Sequence, residues 1–336
     1  MDVQHFVDLN QDVLFEILSH TDVQSVCQLH QVNKTLYNKH DDLFRYIYAR
    51  FYYETGMDVF KNKTDNMTWF QLLKLCYQLS RLLILLPSVK KYTMNTLYTK
   101  TKLNLSNSNI KVLPLEMGQL RALHQLDLSN NQLSAFPMEI GQLCHLQYLC
   151  LSNNKLSAFP PAIGYLNHLL VLYVFNNQLS ALPPEIGQLN HLKVLDLSNN
   201  QLSELPPEMG QMSALQQLSL YNNQLSALPP EIGQLRALQH LYLSYNQLSA
   251  LPPEIGQLVD LQYLYVSNNQ LSALPPEMGQ LVDLQYLNVS NNQLSTLLPE
   301  MSQLCALRRL YLFKNKLSAT FKNEIKLQLP KIDIIL

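Results

Sequence analysis

The sequence has 336 residues, 47% of them apolar, which is enough to bury a large core and too much for a disordered chain. Its formal net charge is only −1, but residues 123–306 carry 3 basic and 12 acidic groups, a net −9, while both flanks are basic. A nucleic-acid interface needs a basic stripe on its working face, so the middle of the chain has the wrong sign for DNA or RNA.

Residues 5–52 open the chain with apolar positions at helical spacing: Val13, Leu14, Ile17 and Leu18, then Val26, Leu29, Val32 and Leu36. Asn10, Asp22 and Asp41 stand where helices start, which predicts three or four short helices in a small all-α unit. From Val7 to Leu79 this stretch resembles an F-box. The matching positions are Leu9 at the opening, Ile17 and Leu18 in the first helix, Asp22 after it, Val26 and Leu29 in the second, and Val32 opening the third. Trp69 stands at the distance typical of the family. Asn10, Thr21 and Leu36 depart from the usual proline, leucine and tryptophan. The resemblance implies docking of a Skp1-type adaptor protein through Leu9, Asn10, Leu14, Ile17, Leu18, Val26, Leu29 and Val32, as in the SCF-type ubiquitin ligases. The same helices could instead be a plain cap on the larger C-terminal part of the chain.

Residues 53–99 contain a polar connection, FKNKTDNMT, and an apolar run from Trp69 to Leu86. They are expected to be a helical linker and N-terminal cap, because the exposed end of a repeat array needs covering.

From 100 to 321 one phrase, close to LSNNQLSALPPEIGQL, recurs every 23 residues, placing ten leucines in register from Leu103 to Leu310. A single unit of this size cannot bury its own apolar face, so the period means a solenoid. In Leu192-Lys-Val-Leu-Asp-Leu197, strand alternation turns Leu195 and Leu197 to one face and Asp196 to the other. Asparagine recurs from Asn131 to Asn315, with Ser108 in the first unit, and predicts a buried amide ladder between adjacent turns. The ALPPEIGQL segments predict one brief helical turn each, with proline first and glycine closing the turn; their glutamates, Glu116 to Glu300, read as a solvated row interrupted at Ala162. The pattern L-x-x-L-x-L-x-x-N-x-L resembles the leucine-rich repeat family. That implies an α/β solenoid, a horseshoe with one parallel sheet whose free face binds partners. Residues 322–336 should form a C-terminal cap with a last strand near Leu329, Ile332 and Ile334. An F-box joined to such uniform repeats is also similar to proteins encoded by large amoeba-infecting DNA viruses.

Where near-identical repeats differ, aromatics gather on the outward strand positions: Tyr148, Tyr173, Phe175, Tyr221, Tyr242, Tyr245, Tyr263, Tyr265, Tyr286, Tyr311 and Phe313. Tyrosine offers large contact area with a polar tip at low entropic cost, so this face is expected to bind a target protein. Tyr242, Tyr245, Tyr263, Tyr265 and Tyr286 should form one continuous patch. His145, His168 and His191 make a column in three consecutive repeats, but no further ligand closes a metal site apart from Cys144, and repeat duplication explains them as well. No nucleophile, base and orienter recur as a set, and there is no phosphate-binding glycine loop; an enzyme, a metal and a cofactor are not expected. The longest apolar run, Leu82 to Pro87, is far below a membrane span, the start MDVQHFVDLNQD lacks a signal peptide, and five cysteines without paired spacing read as reduced thiols. The expectation is therefore an intracellular protein, cytoplasmic or nuclear and not secreted. It would be a non-catalytic subunit that recruits a target to a ubiquitin ligase. The alternative is a leucine-rich-repeat scaffold that holds a signalling protein such as a small GTPase.

Overall fold

The computed structural model describes residues 97–297, 299–318, 321, 325 and 332–336. The expectations for the F-box-like helices and for most of the two caps lie outside these residues. The chain divides into two compact units, residues 1–100 with 116–122, and residues 101–115 with 123–336. Of the first unit, the described residues include buried Leu97, Glu116 and Met117.

The second unit is a solenoid around one sheet of eleven parallel strands in chain order. They are β1 (Lys102–Asn104), β2 (Gln125–Asp127), β3 (Tyr148–Cys150), β4 (Val171–Tyr173), β5 (Val194–Asp196) and β6 (Gln217–Ser219). The rest are β7 (His240–Tyr242), β8 (Tyr263–Tyr265), β9 (Tyr286–Asn288), β10 (Arg309–Tyr311) and β11 (Asp333–Ile335). Each strand is three residues long with a leucine at its centre from β1 to β10, and the centres pair directly, Leu195 with Leu218 and Leu218 with Leu241. Parallel neighbours need a crossover, and the remainder of each 23-residue unit supplies it without a full helix. The last strand joins in the same register, Leu310 opposite Ile334.

The core is built from the same columns in every repeat. In the fifth, Leu192, Leu195, Leu197 and Leu202 are all fully buried, and Met209 closes the convex side. Burying one such side chain contributes about 1.5–3 kcal/mol, and the contribution is available only because neighbouring repeats cover it.

The asparagine column bridges adjacent turns. Asn223 Nδ2 donates to Leu197 O at 3.0 Å and Leu220 O at 3.1 Å, while its Oδ1 accepts from Leu202 N at 3.0 Å. The residue just before it takes a left-handed conformation, φ 53–59°, in every repeat. Asparagine tolerates that region because its short amide bonds locally, and it fills the position everywhere except at Tyr245 and Lys314.

The convex turns are 3-10 helices such as Pro184–Gln188, closed by Leu189 N donating to Ile186 O at 3.2 Å. Two expectations change here. Their glycines serve close packing between repeats. A Cβ on Gly210 would stand 2.7 Å from Glu231 O, and one on Gly187 would fall 2.8 Å from the Glu208 carbonyl carbon and still closer to its oxygen. Their glutamates are half-buried rather than solvated from Glu185 to Glu300, because the turns stack side by side. One oxygen each of Glu277 and Glu300 is buried without a hydrogen-bond partner among the described residues.

Candidate protein-binding face

Strand alternation sends the first and third residues of each strand to the open face of the sheet, and register places equivalent residues of neighbouring strands side by side. The aromatics of β7, β8 and β9 therefore stack. His240 lies 4.7 Å from Tyr263, ring centroid to centroid, and Tyr263 lies 4.8 Å from Tyr286, with planes within 11°. A second column runs beside it, Tyr242 on Tyr265 at 5.3 Å, and His240 joins the two through a 6.4 Å contact with Tyr242. The rings are half-buried by each other and by the sheet. This raises the Tyr242 and Tyr265 pKa values, through burial first and then through neighbouring tyrosines, and lowers that of His240.

Tyr245 does not belong to this patch. It lies past the end of β7 at φ 59°, 49% exposed, and meets Tyr221 edge-on at 5.2 Å. The pair faces Tyr242 and Tyr265 across a cleft of about 410 Å³. Buried serines make its floor, Ser219, Ser244 and Ser267, with Ser267 Oγ donating to Ser244 Oγ at 2.9 Å. Small residues on the floor between large ones on the walls are what open the groove.

A smaller aromatic group stands on β3 and β4, where Tyr148 meets Tyr173 at 5.8 Å and Tyr173 meets Phe175 at 6.4 Å. Burial, helped by the Cys150 thiol and the Asp127 carboxylate, pushes the Tyr148 phenol up to about 12. β5 and β6, with Val194, Asp196, Gln217 and Ser219 on the open face, separate this group from the stack. At the far end Tyr311 and Phe313 accompany Arg309, whose Nε pairs with the Asp333 carboxylate at 3.3 Å. All eleven aromatic residues expected on the face are thus described: the stack of β7–β9, the Tyr221–Tyr245 pair, the β3–β4 group and the end. Sequence reading missed His240, although its column position, directly before Tyr263 in register, marks it as part of the stack.

The histidine column does not assemble a site. His168 and His191 stand 6.2 Å apart, His191 Nδ1 contacts Asn167 O at 2.9 Å, and His145 instead neighbours His124 at 6.1 Å. Among the described residues no three ligating side chains converge as a metal would require. Cys144, Cys150 and Cys305 are free thiols, and no described helix is long and apolar enough to cross a membrane.

Comparison with known proteins agrees with this architecture. A family model described as a leucine-rich repeat region matches residues 138–223, 184–256 and 207–332, and a further leucine rich repeat model matches 101–156. An F-box domain model matches residues 6–45. Among solved structures, an LRR protein of Leptospira interrogans is 35% identical, over 70% of this chain and 84% of its own, with a TM-score of 0.38. A TDR receptor is 33% identical over 65% of this chain, with a TM-score of 0.60, and this chain spans only 39% of it. An internalin of Listeria monocytogenes shares the fold at 19% identity, covering 77% of this chain and 87% of its own with a TM-score of 0.53. No curated protein matches.

Proposed function

Because this chain belongs to the leucine-rich repeat family and its residues 6–45 match the F-box model, we propose that it is a target-recruiting subunit of an SCF-type ubiquitin ligase. The coupling of these two interaction modules on one chain is the observation that carries the reading. F-box and leucine-rich repeat modules bind other proteins, and together they make the chain a protein-interaction adaptor. In the finer reading, Leu9, Asn10, Leu14, Ile17, Leu18, Val26, Leu29 and Val32 dock a Skp1-type adaptor, and the aromatic face of β6–β9 holds the protein to be modified. Work inside the cell, in cytoplasm or nucleus, accords with that role. The stacked rings support the second half. Aromatic clusters with polar tips are enriched at the centres of interfaces, and they stand on a rigid sheet that loses little entropy on binding.

The test is co-purification of the full chain with a Skp1-type adaptor. The wild type should form a stoichiometric complex. Leu9→Asp and Ile17→Asp should each abolish it by placing an unpaired charge in an apolar contact. If the wild type shows no complex by pull-down or calorimetry, the ligase reading fails and a scaffold without ligase attachment takes its place.

A further inference from the structure

Taking the sheet face as the target-binding surface, we infer that the cleft beside Asp196 receives a basic side chain of the captured protein, arginine above all. The lining of this cleft carries one formal charge, the Asp196 carboxylate, and no cation. Its volume of about 410 Å³ falls at the lower end of small-ligand sites, ~300–1,000 Å³, which suits one or two inserted side chains. One oxygen of Asp196 accepts from Ser198 N at 2.9 Å and from the Ser198 hydroxyl; the other accepts nothing among the described residues. Asp127 has the same serine contacts on β2, but its second oxygen is taken by Asn104 at 3.2 Å. Asp196 is thus the carboxylate of this cleft, and it has an acceptor left over.

The walls add to its attraction. A cation between aromatic rings gains from their quadrupoles, and a guanidinium can stack flat on a ring while its forked N–H groups reach a carboxylate. Tyr242 and Tyr265 offer that surface on one side and Tyr221 and Tyr245 on the other. The net −9 of residues 123–306 draws basic segments toward the array, whereas an acidic side chain entering the cleft would be repelled by the Asp196 carboxylate. The chain already pairs a guanidinium with a carboxylate on this face at β10, where Arg309 Nε lies 3.3 Å from Asp333.

The experiment measures fluorescence anisotropy of a labelled glycine peptide carrying three arginines, against the full chain, with the three-citrulline peptide as neutral isostere. The arginine peptide should bind at least ten-fold tighter than the citrulline one. Asp196→Asn, which keeps the Ser198 contacts, should erase the difference, while Asp127→Asn should leave it intact. Equal binding of the two peptides overturns the inference, and so does equal weakening by both asparagine variants, which would mean diffuse charge. Tyr242→Ala and Tyr265→Ala separate the levels. If they weaken peptide binding and Asp196→Asn does not, the cation site falls but the binding face stands. If none of the three has an effect, the binding face falls with it.

Discussion

Replacing Asn223 by leucine removes four hydrogen bonds, one of them to Tyr221 O, which keeps Asn199 N at 2.8 Å, yet the cost depends on which partners are left alone. Leu197 O also accepts from Asn200 Nδ2 at 3.0 Å, and Leu220 O also accepts from Asn246 Nδ2 at 2.9 Å, so both carbonyls keep a donor. Only Leu202 N, bound to Asn223 Oδ1 at 3.0 Å, is orphaned in the interior. One buried unpaired donor costs about 1–3 kcal/mol, which sets the expected loss for the single variant. Asn200→Leu is equivalent, because Val174 O retains Asn177 at 2.9 Å and Leu197 O retains Asn223. The double variant also strips Leu197 O of both donors, so it should exceed the sum of the singles by a further ~1–3 kcal/mol. Asn177 and Asn223 share no carbonyl, and that pair should be additive to within ~0.5 kcal/mol. Urea denaturation of the five variants, Asn177→Leu among them, with hydrogen exchange at the Leu202 amide as a local readout, measures both effects. An adjacent pair that is additive, or a Leu202 amide still protected in Asn223→Leu, would refute the shared-carbonyl scheme.

Gly187→Ala should destabilise by about 1–3 kcal/mol through forced separation of backbones. Gly279→Ala should cost less, because the backbone oxygen its Cβ would meet, Glu300 O, stands at 2.9 Å, farther off than Glu208 O from Gly187, and the other close atom, Gln303 Oε1, is movable; denaturation midpoints give the order. Tyr245→Asn should stabilise by roughly 0.5–1 kcal/mol, since relief of left-handed strain, ~1–2 kcal/mol, exceeds the lost edge contact with Tyr221; an unchanged or lower thermal midpoint contradicts this. His240 has its pKa lowered by burial, so the unfolded chain takes up its proton first as pH falls. Its contribution is complete above the ordinary 6.5 and is lost below it until the folded value is reached; His240→Gln should flatten that part of the stability profile, and an NMR titration midpoint at or above 6.5 would contradict the sign.

The fold was open to sequence reading because a solenoid repeats its contacts at a fixed separation. Leu103 to Leu310 and Asn131 to Asn315 each report one kind of environment, seen again every 23 residues. What escaped depends on how closely one repeat approaches the next. A glycine that ends a turn and a glycine that makes room for a neighbour look alike in PPEIGQ, and only the Cβ positions separate them. One signal was there: the column breaks at Ser302, beyond which no further PPEIGQ turn comes to press on it. Half-burial of Glu185 to Glu277 has the same origin, since each turn shields the next.

The binding face was legible in composition but not in shape. Aromatic positions could be read one by one, whereas the cleft arises from the contrast between Tyr221, Tyr242, Tyr245 and Tyr265 and the serines beneath them. Tyr245 is the most informative of these. Eight of the ten residues in its column are asparagine, all left-handed, so the backbone preference there is strong and nearly uniform. A bulky ring placed against that preference weakens the repeat it sits in, and strain of this kind persists where it does something the relaxed residue could not. Here the ring completes one wall of a cleft on the sheet face that also holds the Asp196 carboxylate. The departure from the local rule at Tyr245 thus falls in the lining of the candidate site itself, which is why the cleft, more than the ring stack beside it, is where target selectivity should reside.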